Sequence, residues 1–229
     1  MSRMATLALL ICVPVVSAGA LTYEVAIENM IPGGPEMGQP MTPPVVVVHG
    51  AGYTLFDAGE LATAGLELLA EDGMTADLVA EAEANADVQQ VVVGGGPFFG
   101  TEIVQVTGNP GELLSLVTML ARSNDLITGI HDVALPASGS VEILPTGVYD
   151  AGTEQNTGMV EHIPFYGNSL VGPEEDAVIS MISEYAVLND PDYKEIRYTF
   201  PPSARVRITV IEPTPAEEVT WGSVKALFR

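Results

Sequence analysis

The sequence predicts a mainly β protein, an antiparallel β-sandwich with two or three short helices at its periphery. Several short segments of the 229-residue chain alternate apolar and polar residues or form brief apolar runs. Gly- and Pro-rich turns separate these segments, and strands and helices do not alternate regularly. Together these observations favour antiparallel strands packed in two layers. An apolar content of 47% argues against a disordered chain.

The first strand is predicted in TYEVAIENM, where Tyr23, Val25 and Ile27 share one face. Such alternation is typical of a strand with one buried side. The Pro/Gly-rich segment IPGGPEMGQPMTPP then forms a loop. It leads into VVVVHGAGYTLF, which predicts a buried strand, a turn and a short extended piece.

Two short helices are predicted next, outside the main sheets. GELATAGLELLAEDG places Leu61, Leu68 and Leu69 on one helical face. TADLVAEAEANAD begins with a threonine cap and continues with residues that favour helix.

The strand pattern resumes at residue 88. The predicted β segments are VQQVVVGGG, TEIVQVTG, LLSLVTMLARS, GSVEILPTGVYD and SARVRITVIEP. In the last of them Val206, Ile208 and Val210 face inward. A helix is also predicted near EDAVISMISEYAVL, within a stretch that otherwise reads as loop.

The two ends of the chain differ from the predicted domain at residues 21–212. Residues 1–20 have the layout of a secretory signal peptide: a basic start, an apolar core and small residues, with cleavage near Ala18 or Ala20. We therefore expect a secreted, periplasmic or cell-surface protein. The only cysteine, Cys12, lies in that apolar core, so we expect no disulfide in the exported chain. Residues 213–229 are predicted to form a linker and a short tail.

The charge of the chain limits its partners. Eight basic and thirty acidic residues give a formal net charge of −22. Such a surface repels nucleic acid and anionic membrane lipid, and both are therefore poor partners. The same charge suits divalent cations or a salty medium, and charge alone leaves both explanations open.

No catalytic residues are predicted. VVVVHGAG resembles the oxyanion loop of some serine hydrolases, but the chain contains no Gly-x-Ser-x-Gly motif. VVVGGGP lacks the lysine and hydroxyl residue of a phosphate-binding loop. Three scattered histidines and no exported thiol argue against zinc.

The stretch GVYDAGTE is the clearest candidate for a site. Ala151-Gly152 lets the chain curl, so that Asp150 and Glu154 can point at one centre, and Asp125 in ARSNDLITG is a candidate third acid. Oxygen ligands in irregular geometry are typical of calcium sites. Spacing alone also fits ordinary solvated acids, and that alternative stays open.

The order of several motifs resembles the spondin N-terminal domain family, known from F-spondin, mindin and small exported bacterial proteins. The motifs are YEVAIENM, PPVVVVHGAGYTLFDAGE, GLELLAEDG, SNDLITGI, VYDAGTE and ARVRITVIE, and they span roughly residues 21 to 212. The resemblance implies a β-sandwich related to the calcium-dependent lipid-binding module of protein kinase C. It also implies one calcium ion at the end of the sandwich, with Asp125, Asp150 and Glu154 as ligands.

This chain departs from the family pattern at the proposed site. Animal members commonly have Pro-Asp-Trp where Asn124, Asp125 and Leu126 stand, and an aspartate where Glu154 stands. Glutamate is still an oxygen donor, so we expect the site to persist with altered affinity. The basic loops through which the kinase module contacts lipid are absent, so lipid binding is not carried over.

These observations lead to the hypothesis of a secreted, non-enzymatic, calcium-binding β-sandwich for adhesion or matrix interaction, with an unidentified protein or glycan partner. Two alternatives remain. One is an exported hydrolase that uses His49 or His131 with a nearby carboxylate. The other is a structural envelope protein without a bound metal.

Overall fold

A computed structural model describes residues 19–143, 145–167 and 172–211. The predicted tail at 213–229, and the predicted signal peptide apart from residues 19 and 20, lie outside this part of the chain. The strands are β1 (Leu21–Asn29), β2 (Val45–His49), β3 (Val88–Val93), β4 (Thr101–Gly108), β5 (Leu113–Met119), β6 (Leu126–Ala134), β7 (Ser140–Ile143), β8 (Gly147–Asp150), β9 (Ser180–Met181), β10 (Glu184–Asp190), β11 (Lys194–Thr199) and β12 (Ala204–Val210). The α-helices are α1 (Gly34–Met37), α2 (Ala64–Asp72) and α3 (Ala76–Glu83), and Val160–His162 and Pro164–Tyr166 form single 3₁₀ turns.

The strands form two main sheets and a hairpin. One sheet has the order β4–β1–β12–β7, the other has the order β3–β2–β5–β6–β8–β9, and β10 pairs with β11 alone. Neighbouring strands are antiparallel throughout these sheets. The predicted mainly β, antiparallel sandwich with short peripheral helices is therefore confirmed.

The main core lies between the two sheets. Tyr23, Val25 and Ile27 of β1 are fully buried there, as their alternation predicts. Val206 and Ile208 of β12 pack in the same cluster. Burying each such side chain contributes about 1.5–3 kcal/mol, so this layer supplies much of the stability of the fold.

The first four residues of strand β2, Val45 to Val48, are all apolar because both faces of the strand are covered. Val46 and Val48 pack in the core between the sheets, whereas Val45 and Val47 pack against a second cluster that contains residues of α2 and α3. A strand with two buried faces has no reason to alternate. The run VVVV therefore marks the strand on which the helices rest.

Helices α2 and α3 are joined through their ends. The hydroxyl of Thr63 caps α2 by accepting a hydrogen bond from the Leu66 N–H, and Gly73 ends the helix in the left-handed conformation. The Glu81 carboxylate of α3 accepts hydrogen bonds from the Thr63 hydroxyl at 2.6 Å and the Gly65 N–H at 2.7 Å. None of the described helices is long and apolar enough to cross a bilayer.

A third apolar cluster closes one end of the sandwich. The β10–β11 hairpin contributes Tyr185, Val187, Ile196 and Tyr198, which pack against residues that include Leu126 at the start of β6. The end closed by the hairpin is thus the end at which β6 begins.

The structure corrects two details of the prediction and refines a third. Residues 175–188 form β9 and the start of β10 rather than a helix, because Tyr185 and Val187 alternate with residues that face outward. The predicted β segment GSVEILPTGVYD contains two strands, β7 and β8, which belong to different sheets. Leu61 lies before α2 and is 64% exposed, so it is not on the helical face with Leu69.

Gly129 lies where β6 approaches β5 closely, and a substitution at this position tests that packing. A methyl group at this position would overlap the carbonyl oxygen of Leu116 on the neighbouring strand. We expect Gly129→Ala to lower the free energy of unfolding in urea by about 2–4 kcal/mol. Gly100→Ala is the control, since no heavy atom lies within 4 Å of a Cβ placed there. Equal stability of the two variants would contradict this packing.

Candidate metal centre

Asp125 lies in the turn that connects β5 to β6, and its side chain is fully buried. Its Oδ2 accepts hydrogen bonds from the backbone N–H groups of Thr153 at 2.9 Å and Glu154 at 3.1 Å, and from the Thr153 hydroxyl at 3.3 Å. Its Oδ1 is buried and has no hydrogen-bond partner among the described residues. An unpaired buried acceptor costs about 1–3 kcal/mol, and more when it is charged. Asp125 is therefore firmly held through one oxygen and unsatisfied at the other.

Asp150 is the last residue of β8 and lies opposite Leu126 in the strand register. This pairing brings its carboxylate close enough to Asp125 for the two charges to repel. Oδ1 of Asp150 accepts a hydrogen bond from the Gly152 N–H at 2.9 Å, and Oδ2 accepts one from the Asn156 side chain at 2.6 Å. The structure thus brings two of the three predicted ligands together.

Gly152 lets the chain turn back after β8. Its φ of +72° lies in the left-handed region, and a Cβ here would crowd the carbonyl oxygen of Ala177. This curl presents the N–H groups of Thr153 and Glu154 to the Asp125 carboxylate. The chain does curl at Ala151-Gly152 as predicted, and the curl directs two backbone N–H groups to Asp125; that it also points Asp150 and Glu154 at one centre stays a prediction.

The side chain of Glu154 is engaged elsewhere. Its Oε1 accepts a hydrogen bond from the Gly172 N–H at 2.8 Å, and its Oε2 accepts one from the Asn124 side chain at 3.4 Å. The backbone N–H of Glu154 donates a hydrogen bond to Asp125, while the buried carboxylate of Glu154 accepts one from the Gly172 N–H. That Glu154 is also a metal ligand stays a prediction.

Several carboxylates at the Asp125 end of the sandwich lie where their charged form is disfavoured. Burial, and then the charge of Asp150, raises the pKa of Asp125 to about 7, although the hydrogen bonds from residues 153 and 154 act in the opposite direction. Burial likewise raises the pKa of Glu154. Burial, followed by the charges of Glu154 and other acids, raises the pKa of Glu71 on α2 to about 7. Negative charge is therefore concentrated at this end of the sandwich, and little positive charge offsets it.

The chemistry of the Asp125–Asp150 pair fits a hard cation. Asp125 has a buried oxygen without a partner and is repelled by the charge of Asp150, and both residues offer oxygens, the ligands that calcium and magnesium prefer. Within the described ranges, however, no group of three or more His, Cys, Asp or Glu side chains is arranged to hold a metal ion. The pair is thus the nucleus of a site that other oxygen donors would complete.

Asn124 is a buried connecting residue that the sequence did not reveal as important. Its Oδ1 accepts hydrogen bonds from the Tyr185 hydroxyl at 2.8 Å and the Gly158 N–H at 3.1 Å. Its own backbone N–H donates to the Tyr185 hydroxyl at 3.1 Å. Asn124 therefore links the turn of Asp125 to the β10–β11 hairpin. The only signal in the sequence was its presence where related animal domains have proline.

The hydrolase alternative can be compared with the surroundings of His49. Nε2 of His49 lies 2.8 Å from the Ser115 hydroxyl, and the Ser115 oxygen accepts a hydrogen bond from the Asp132 N–H at 3.0 Å. The Gly50 carbonyl oxygen can only accept a hydrogen bond, so Nδ1 of His49 carries a proton and donates it to that oxygen at 2.8 Å. These contacts hold the His49 ring between the Gly50 carbonyl and the Ser115 hydroxyl.

This arrangement differs from a nucleophilic triad. The nearest Asp132 carboxylate oxygen lies 3.8 Å from the same ring nitrogen that Ser115 uses, whereas a triad acid binds the opposite nitrogen. His49 and Ser115 are both fully buried, so a substrate has no access to the hydroxyl. The cluster instead fills a bulge, where residues 131 and 132 of β6 face Ser115 of β5. The other histidine of that hypothesis, His131, is about half exposed and lies 3.9 Å from Asp132.

The family model described as Spondin_N matches residues 35–164, more than half of the chain. The matched region contains Asp125, Asp150 and Glu154. No curated protein matches the chain.

The raised pKa of Asp125 predicts an unusual pH dependence in the presence of a chelator. A carboxyl group whose pKa is higher in the folded than in the unfolded chain destabilises the fold as pH rises through the folded pKa. We therefore expect the melting temperature to fall between about pH 4, near the unfolded pKa, and about pH 7, the folded pKa. Asp125→Asn should flatten this dependence and raise the stability at pH 8 by about 1–3 kcal/mol. Glu71 leaves a residual slope of the same sign.

Asp87→Asn is the matched control for the pH series. Asp87 is exposed and lies beside β3 near His49, at the opposite end of the sandwich. Thermal melts that show the same pH slope for Asp125→Asn and the wild type would contradict the assignment to Asp125.

Ser115 separates the structural from the catalytic interpretation of the His49 cluster. Ser115→Ala should lower the free energy of unfolding by about 2 kcal/mol or more, because it leaves His49 Nε2 and the Asp132 N–H without a partner. Ser140→Ala on the exposed side of β7 should change little. Hydrolysis of a nitrophenyl ester should be equally slow in wild type and variant. Unchanged stability with lost hydrolysis would instead identify a nucleophile.

Proposed function

The chain belongs to the spondin N-terminal domain family, and from that membership we propose that it is a secreted, non-enzymatic adhesion domain that binds calcium at one end of its sandwich. Proteins with this domain are associated with the extracellular matrix, and the basic and apolar start of the sequence is the expected export signal. The partner is a protein or glycan surface.

The observation that carries the calcium proposal is the unpaired Oδ1 of Asp125. This oxygen is buried beside a second carboxylate, an arrangement that costs stability unless a cation lies nearby. Asp125 and Asp150 would hold the ion. Glu154, the third proposed ligand, would exchange its 3.4 Å hydrogen bond from Asn124 for the ion. Bound calcium supplies the positive charge that offsets the repulsion among these acids.

Calcium suits this site better than zinc or magnesium. The donors are oxygens, and no histidine takes part in the hydrogen bonds of Asp125 or Asp150. Irregular loop geometry is tolerated by calcium, whereas magnesium demands a nearly octahedral shell. Two or three carboxylates, completed by carbonyl groups and water, are typical of calcium sites.

Two structural features support binding rather than catalysis. The buried Ser115–His49 pair offers no accessible nucleophile, and the strand register places the start of β1 and the end of β12 together, away from the end where Asp125 lies. A domain whose chain continues at one end can present its opposite end to a partner. The remaining alternative, a structural envelope protein, differs in lacking the ion.

Calcium binding is tested by thermal melts of the full chain in calcium and in chelator. Calcium at a hundredfold over its dissociation constant should add about 2.7 kcal/mol of stability, or about 5–10 °C for a domain of this size. Asp150→Asn should abolish most of this shift. Glu154→Gln should reduce it less, because Glu154 already has two hydrogen bonds.

Asp87→Asn, which removes an equal charge at the opposite end, should retain the full shift. A wild-type melting temperature that does not respond to calcium would reject the metal site and favour the envelope protein. An equal shift in Asp150→Asn would place the ion elsewhere.

A further inference from the structure

A cavity of about 490 Å³ lies beside Asp150, between the end of β8 and the β10–β11 hairpin. Residues of the hairpin form one side, where Glu184 and Ala186 of β10 stand opposite Thr199 and Arg197 of β11 in register. The buried Tyr185 and Tyr198 also line this side. Asp150 and the loop residues that follow it form the other side. A volume of this size is typical of ligand sites.

The lining of the cavity is amphipathic. Ile182, Ala186 and Leu188 supply apolar surface, and Asp150 and Glu184 supply carboxylates from two different elements. Asn156, Thr157 and Thr199 add side-chain oxygens that can accept hydrogen bonds. An aliphatic stem with a cationic, donor-rich tip would match both parts of this lining.

The single basic residue of the lining does not reverse its charge. Arg197 forms an ion pair with Glu195, its neighbour on the same face of β11, and is 74% exposed. The carboxylates of Asp150 and Glu184 have no such cationic partner among the described ion pairs. With a net charge of −22 on the chain, the cavity attracts cations.

We propose that this cavity binds an arginine side chain of a partner protein, with its guanidinium group between Asp150 and Glu184. A guanidinium group has five N–H donors in a planar fork, so it can serve two carboxylates that approach from different sides. The apolar residues of the hairpin would cover its aliphatic stem. The cavity is larger than one side chain, so it also accommodates residues next to the arginine.

This binding is independent of the proposed calcium site except at Asp150, which the two would share. A cation already held by Asp150 repels a guanidinium group, so calcium should weaken arginine binding. Arginine binding itself is measured in chelator. Its failure therefore differs from failure of the proposed function, which a separate calcium titration of the same samples reports.

The test is an NMR titration of the full chain in chelator with N-acetyl-arginine-methylamide. Its neutral control is the citrulline analogue, which has nearly the same shape and no charge. We expect amide shifts at Ala186, Leu188 and Thr199, with binding about tenfold tighter for arginine than for citrulline. Saturating calcium should weaken arginine binding.

Two variants that each remove one negative charge test the location of the arginine site. Glu184→Gln should weaken arginine binding about fivefold or more, while Glu83→Gln on the exposed side of α3 should leave it nearly unchanged. Equal binding of arginine and citrulline, or equal effects of the two variants, would overturn the proposal. Shifts spread over the acidic surface instead of the hairpin would also overturn it, because they indicate non-specific charge attraction.

Discussion

The structure of the end of the sandwich where β6 begins depends on the burial of one carboxylate. Asp125 is fully enclosed at the turn between β5 and β6, and the N–H groups of Thr153 and Glu154 reach one of its oxygens. Those contacts hold the loop after β8 against the loop before β6. The other oxygen is left without a partner, so the structural anchor is also the strongest reason to propose a cation.

The loops around Asp125 are connected to the hairpin by polar contacts that leave little freedom. Asn124 binds Tyr185 of β10, and Glu154 binds the backbone at residue 172. A change in charge at Asp125 or Asp150 should therefore affect the structure of the hairpin and of the cavity that it lines. The two proposed binding events are coupled through their common residue, Asp150.

The family match and the structure support the function at different levels. The match covers residues 35–164 and establishes the domain type, which is the basis of the proposed adhesive role. The side-chain geometry adds the physical argument for calcium at Asp125 and Asp150. It also gives a structural reason for the buried Ser115 and His49, whose residue types alone would fit a hydrolase.

The sequence by itself determined the strands whose faces differ, such as β1 and β12, because alternation of apolar and polar residues records which side is buried. It also located the turn of Asp150 and Gly152, where a glycine is needed for a positive φ. Residues 175–188 were misjudged as a helix because short apolar runs fit both structures. The division of residues 139–150 between two sheets, the enclosure of Asp125 and the partner of the Glu154 carboxylate were decided only by the tertiary structure. Each depends on groups distant in sequence, which local pattern cannot specify.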